Sequence, residues 1–123
     1  AQEIFDYLYH SMRDLKKEIF KIVLLDSHNS IIDIVEAVEG TVDKAHPIIR
    51  EIFQKALQQF SVSIICVHNH PSGDPKPSKE DRDFTRELCF AGNVMQVKIL
   101  DHLIIGDNQY HSFADSGELV TYK

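Results

Sequence analysis

The chain has 123 residues, 43% of them hydrophobic, which is enough for one core and too few for two ordinary domains. It carries 13 basic against 19 acidic residues, a net charge of -6, and so lacks the basic stripe of a nucleic-acid-binding surface. There is no apolar run of about 18 residues and no basic flank leading into an apolar stretch, so no membrane partner is expected and the simplest address is the cytoplasm. Ile4, Leu8, Met12 and Leu15 recur at helical spacing and mark an amphipathic first helix. Strands over 19–25 and 31–38 follow, joined as a hairpin by Asp26-Ser27-His28-Asn29-Ser30, and Gly40-Thr41 ends the pair. Pro47 suits the first turn of the next helix, whose buried stripe is Ile49, Ile52, Phe53, Ala56, Leu57 and Phe60. The apolar run 62–67 reads as a buried strand ending at His68, and residues 78–91 as a helix closed by Gly92. A strand over 97–105, a turn at Gly106-Asp107-Asn108 and a short returning strand over 109–113 complete the chain. This order fits a single three-layer α/β domain, residues 1–123, in which helices flank a mixed, curved sheet; no repeat, low-complexity segment or linker interrupts it.

Chemistry concentrates in His68-Asn69-His70-Pro71-Ser72-Gly73-Asp74-Pro75-Lys76-Pro77-Ser78-Lys79-Glu80-Asp81. Side chains two apart on a strand share a face, so His68 and His70 can converge on one ion. A third donor must come from elsewhere, and Asp81 is the nearest. It lies three residues before Phe84 and seven before Leu88, on the apolar stripe of the helix, where a carboxylate is costly unless it is paired or binds metal. Ser78 and Asp81 also have the spacing of a helix-capping box, and the two readings are compatible because a capped first turn would hold Asp81 rigidly. Three of the four prolines, Pro71, Pro75 and Pro77, stiffen the intervening loop, which suits a preformed site. Two histidines and a carboxylate leave one position open on a tetrahedral zinc, the mark of a catalytic site; zinc lowers the pKa of water there to roughly 7.

His-x-His followed, after seven residues, by Ser-x-x-Asp resembles the JAMM motif of the JAB/MPN metalloprotease superfamily, and every position of the motif is matched. The longer run His68 to Pro75, with Pro77-Ser78, Asp81, Thr85 and Asp101-His102-Leu103-Ile104-Ile105-Gly106, is similar to the RadC branch. Gly40-Thr41, Arg50-Glu51-Ile52, Ala56-Leu57 and Ser112-Phe113 fit that branch too, so the resemblance covers about 18–117. One departure is local: the branch usually has proline directly before Arg-Glu, whereas Ile48-Ile49 separate Pro47 from Arg50. The resemblance implies the JAB/MPN, cytidine-deaminase-like architecture, with zinc held by His68, His70 and Asp81. It gives Ser78 the role of stabilising a tetrahedral intermediate and a glutamate ahead of the first long strand the role of general base. That glutamate is Glu18; its competitor is Glu36, inside the second strand on the face of Ile32, Ile34 and Val38, and sequence position supports Glu18.

The function expected on these grounds is zinc-dependent amide hydrolysis of a protein or peptide substrate. The alternatives are a non-catalytic MPN-type interaction module, or a DNA-processing role suggested by the family's historical DNA-repair label and disfavoured by charge. RadC-type proteins often carry a helix-hairpin-helix region before this domain, a region absent from this chain; Ala1 opens within helical sequence without an initiator Met, as in a fragment of a longer protein. Asp101 is a candidate second partner for a ligating imidazole. Cys66 and Cys89 read as reduced core thiols. His10, His28, His46 and His111 lack ligand spacing and read as surface or turn residues. Neither the His-x-Glu and Pro-Cys-x-x-Cys of zinc deaminases nor the His-Glu-x-x-His of helical metalloproteases is present. Nothing in the pattern fixes an oligomeric state, although edge strands can pair chains.

Overall fold

A computed structural model describes residues 1–13, 15–37, 39–41 and 44–120. Its elements are α1 (Gln2–Met12), β1 (Phe20–Leu25), β2 (Ile31–Ala37), β3 (Glu39–Thr41), β4 (Lys44–Pro47), α2 (Ile49–Gln58), β5 (Ser63–Asn69), α3 (Lys79–Met95), β6 (Lys98–Ile105) and β7 (Tyr110–Ser112). Five strands form one mixed sheet in the order β2-β1-β5-β6-β7, in which only β5 and β6 run parallel, joined by α3 as the crossover. Alternation along the strands separates two apolar layers. Phe20, Ile22, Leu24, Ile64 and Cys66 pack under α2 and α3, while Val23, Leu25, Val67, Leu103 and Ile105 pack under α1. The result is the three-layer α/β arrangement with helices on both faces. Among the described residues, no helix is long and apolar enough to cross a membrane.

The β1–β2 turn forms as its residues dictate: the Asp26 carboxylate accepts the amides of His28 and Ser30, and Asn29 takes a positive φ of 61°. The strand expected to reach Val38 is β2, and Val38 itself lies outside the described residues, as do 121–123 of the expected domain.

Four local expectations are corrected. Gly40-Thr41 does not end a pair of strands but belongs to β3, which forms a short hairpin with β4. Pro47 closes β4 instead of opening a helix; lacking an N–H, it sits at the end of a two-stranded ladder, and α2 starts at Ile49. The α2 stripe stops at Ala56, since Leu57 is 46% exposed and Phe60, beyond the helix with φ 57°, is 87% exposed. Gly92 does not close α3, which continues to Met95 and ends at Gln96 in the left-handed conformation. At Gly92 a Cβ would lie 2.5 Å from the Val97 carbonyl oxygen, so glycine is what lets the helix return closely against the start of β6.

Candidate metal centre

The site forms where the end of β5 meets the first turn of α3. Ser78 is the N-cap of α3: its hydroxyl accepts the Asp81 amide at 3.0 Å, and Asp81 Oδ2 accepts the Ser78 amide at 2.9 Å. The expected capping box is therefore formed, and it holds the Asp81 carboxylate, 2% exposed, beside the histidines. His68 Nε2 and His70 Nε2 lie 3.2 Å apart. His68 Nε2 is 3.4 Å from Asp81 Oδ1, and His70 Nε2 is 3.1 Å from Asp81 Oδ2. Glu18, on the segment leading into β1, brings Oε1 to 3.2 Å from His68 Nε2 and 3.7 Å from His70 Nε2.

Glu18, His68, His70 and Asp81 each offer one donor atom, and these four atoms lie within 4.8 Å of one another. Ligands about 2.0–2.1 Å from a tetrahedral zinc sit about 3.3 Å apart, which the 3.2, 3.4 and 3.1 Å spacings among His68, His70 and Asp81 match, while Glu18 lies farther from His70, at 3.7 Å. Imidazole nitrogen with carboxylate oxygen is also a donor set suited to zinc. Cys66 is not part of this set; it is fully buried in the core under α2 and α3, and burial pushes its thiol well above the ordinary range. Glu36 is exposed on the edge strand β2, away from this cluster of donors.

Neighbouring hydrogen bonds fix how the donors are presented. His70 Nδ1 lies 2.9 Å from the Asp74 carbonyl oxygen, which can only accept, so Nδ1 carries the hydrogen and Nε2 faces the cluster. Asp74 is presented by the loop after β5, which is held by the Asp107 amide donating to the Gly73 carbonyl at 2.8 Å. Gly106 makes that contact possible, because a Cβ there would fall 2.4 Å from the same carbonyl oxygen. Asn69, between the two histidines and 2% exposed, points to the segment that carries Glu18: its Oδ1 accepts the Ile19 amide at 2.7 Å, and its Nδ2 donates to the Lys17 carbonyl at 3.1 Å. The residue between the two histidines thus positions the segment that carries Glu18.

His46 corrects the expectation of an isolated surface histidine. From β4 it reaches the site, 14% exposed, with Nε2 2.7 Å from Asp81 Oδ1 and its ring stacked on Phe84 at 4.8 Å. No sequence spacing signals it, because the β3–β4 hairpin brings it in from 35 residues away. Asp101 is also corrected: its carboxylate takes the His102 and Ala114 amides and the Ser112 hydroxyl, and the residue that meets the His68 imidazole is His102, with Nε2 2.7 Å from His68 Nδ1. His111 pairs with Glu118 at 2.9 Å, away from this cluster.

Burial alone would raise the Asp81 carboxyl, but hydrogen bonds from the neighbouring imidazoles, His46 first and then His70, hold it well below the usual carboxylate range. The hydrogen bond to Asp81 raises His70 against its partial burial. For the metal-free protein, Asp81 contributes stability above about pH 4 that is lost on acidification. His70 contributes stability that is complete below about pH 6.5 and is lost as pH rises through its raised pKa. Zinc held at His70 would reverse the second dependence, since it would need that imidazole without its extra proton. At one fixed free zinc concentration, the rise in melting temperature should be larger at pH 8 than at pH 6. Calorimetry showing equal rises would contradict proton competition at His70.

The site opens into a groove of about 850 Å³ whose lining includes Glu18, His46, Pro47, Ile49, His70 and Ser78. Farther along, Glu80, Asp83 and Glu87 line the α3 side, with Arg50 at the start of α2.

Residues 1–118 match the family model described as RadC-like JAB domain. A UPF0758 protein of Trichlorobacter lovleyi is 45% identical over 119 residues, which are 95% of this chain and 51% of that protein. A UPF0758 protein of Pelobacter propionicus is 44% identical over 120 residues, 96% of this chain and 52% of that protein, and one of Geotalea uraniireducens is 45% identical over 117, 94% and 50%. The chain spans about half the length of the curated relatives it matches.

Proposed function

The chain belongs to the RadC-like JAB domain family, and from that premise we propose that it is a zinc-dependent hydrolase acting on peptide or isopeptide amide bonds. The observation that carries this reading is the convergence of Glu18, His68, His70 and Asp81 at an open groove. His68, His70 and Asp81 would hold zinc, which when bound supplies Lewis acidity toward a carbonyl oxygen and lowers the pKa of water to about 7. Glu18, 25% exposed and lining the groove, takes the proton of the attacking water and returns it to the leaving amine. Ser78 also lines the groove; its oxygen already accepts the Asp81 amide, so its hydroxyl hydrogen is available to donate to the developing oxyanion. His46 donates to Asp81 and keeps that carboxylate oriented from the side opposite Ser78.

The groove favours polypeptide over nucleic acid. Glu80 and Glu87 outweigh the positive charge of Arg50 in the lining and so disfavour phosphates, whereas Asp83 is compensated by Lys79 at 2.8 Å and Arg86 at 3.4 Å. Pro47, Ile48 and Ile49 add apolar surface for a side chain. The free thiols of Cys66 and Cys89 support a reducing compartment such as the cytoplasm. A second reading has its own observation: Glu18 lies as near His68 as the other donors do, and as a fourth ligand it would close the site and leave an MPN-type interaction module.

The first test is metal content after dialysis, wild type beside His70→Ala. His70 is partly exposed, so its removal spares the core. Near-stoichiometric zinc in wild type, lost in the variant together with cleavage of a peptide and isopeptide panel, is the expected result. Wild type that stays empty after zinc is added back would overturn the hydrolase reading.

A further inference from the structure

Two ligating imidazoles are presented by different means. His70 is fixed directly by the Asp74 carbonyl, but His68 Nδ1 meets another imidazole, His102 Nε2, at 2.7 Å. Two neutral imidazoles can share a hydrogen bond in either direction, so this contact alone does not decide which nitrogen of His68 carries hydrogen. The next contacts do. His102 Nδ1 lies 2.5 Å from Thr85 Oγ1, and Thr85 Oγ1 lies 2.8 Å from the carbonyl oxygen of Asp81, one helical turn earlier.

The carbonyl is the fixed end of the chain, since it can only accept. Thr85 therefore spends its single hydroxyl hydrogen on Asp81, as hydroxyls in helices commonly do toward the residue four before. Its oxygen then offers only lone pairs, and His102 Nδ1 must donate to it. His102 is 0% exposed, stacked on Phe113 at 4.8 Å and flanked by Phe20 and Phe84, surroundings that keep its ring uncharged. An uncharged ring with hydrogen on Nδ1 has a bare Nε2, which accepts from His68 Nδ1. His68 is left with its Nε2 lone pair facing His70, Asp81 and Glu18. The reverse polarity would set the oxygen lone pairs of Thr85 against those of the Asp81 carbonyl at 2.8 Å in a dry interior. It would also put a hydrogen on the nitrogen that has to bind metal.

We propose that Thr85 and His102 are positioning residues that hold His68 as its Nδ1–H tautomer, so that Nε2 is free to ligate zinc. The relay starts at the backbone of one ligand, Asp81, and ends at the ring of another, His68, and so couples the first turn of α3 to the end of β5. The inference rests on the zinc-site reading given above, and goes beyond it by assigning roles to two residues that touch no substrate.

Thr85→Val keeps the shape and removes the hydroxyl, and Thr85→Ser restores the hydroxyl alone. Zinc affinity measured by competition with a chromogenic chelator should fall about 10–100-fold in the valine variant, the usual cost of losing an outer partner, and the serine variant should stay within about 3-fold of wild type. A merely structural role for Thr85 would not move imidazole tautomers. Nitrogen-15 spectra of the zinc-loaded wild type should show His102 with hydrogen on Nδ1 and a bare Nε2. Wild-type affinity in Thr85→Val, or His102 found with hydrogen on Nε2, would overturn the relay while leaving the zinc reading in place. Wild type that binds no zinc would overturn both. If Thr85→Val does not fold by circular dichroism, the His102 tautomer in wild type decides alone.

Discussion

Glu18→Gln is expected to keep zinc near wild-type stoichiometry and to lower amide hydrolysis by about 10²–10⁴-fold, the range associated with loss of a general base. The substitution is close to isosteric, and the backbone on both sides of residue 18 is held by Asn69 through Ile19 N–H and the Lys17 carbonyl. What changes is the charge and basicity of one partly exposed side chain at the mouth of the groove. The closed-site reading predicts the opposite pattern. If Glu18 Oε1 is a fourth ligand, the neutral amide is a poorer donor, and zinc content after dialysis falls along with any activity. Metal content and hydrolysis measured on the same sample therefore separate the two readings: zinc kept and activity lost assigns the base, and zinc lost together with activity favours the interaction module.

The metal motif was legible because its determinants are local. Two histidines at strand spacing, a proline-stiffened loop and a capped helix turn place His68, His70 and Asp81 together within 14 residues, and each step follows from backbone geometry. Glu18 was legible only through family resemblance, since its approach depends on β1 pairing with β5 in the register Phe20 to His68. His46 was not legible. It is a single histidine with no periodic partner, delivered by a strand of 4 residues, too short for an alternating pattern to stand out. Asp101 was read as the partner of a ligating imidazole, whereas its neighbour His102 is the residue that meets His68: a carboxylate next to a site suggests a metal partner, yet this one is consumed by the amides and hydroxyl of the β7 corner. Gly92 misled in the same way, because a glycine late in a helix serves equally to end it or to let another backbone approach, and only the position of Val97 decides between these.

Asp81→Ala should abolish the site and also weaken the fold, and Asp81→Asn should separate those effects. The carboxylate is shared among four groups: Oδ1 faces His46 at 2.7 Å and His68 at 3.4 Å, while Oδ2 faces His70 at 3.1 Å and accepts the Ser78 amide at 2.9 Å. Alanine removes both the ligand and the reciprocal half of the capping box, with an expected cost of about 2–3 kcal/mol in the metal-free protein, where hydrogen bonds to charged groups and caps each contribute about 1–2 kcal/mol. Asparagine keeps a carbonyl oxygen for the Ser78 amide and should recover about 1 kcal/mol of that loss. It does not recover the charge, and its amide hydrogens face imidazole nitrogens that zinc would need. Both variants should therefore bind zinc more than about 100-fold more weakly than wild type, beyond the usual cost of losing an outer partner. Urea unfolding of the metal-free proteins reads the first difference, and chelator competition reads the second. Equal stability of the two variants would show that the capping box contributes little, and zinc retained by either would remove Asp81 from the ligand set. The paired outcome expected, unequal stability with equal loss of metal, would mean that one carboxylate serves as helix cap and ligand at once, which explains why a charged group can stay buried at the start of α3.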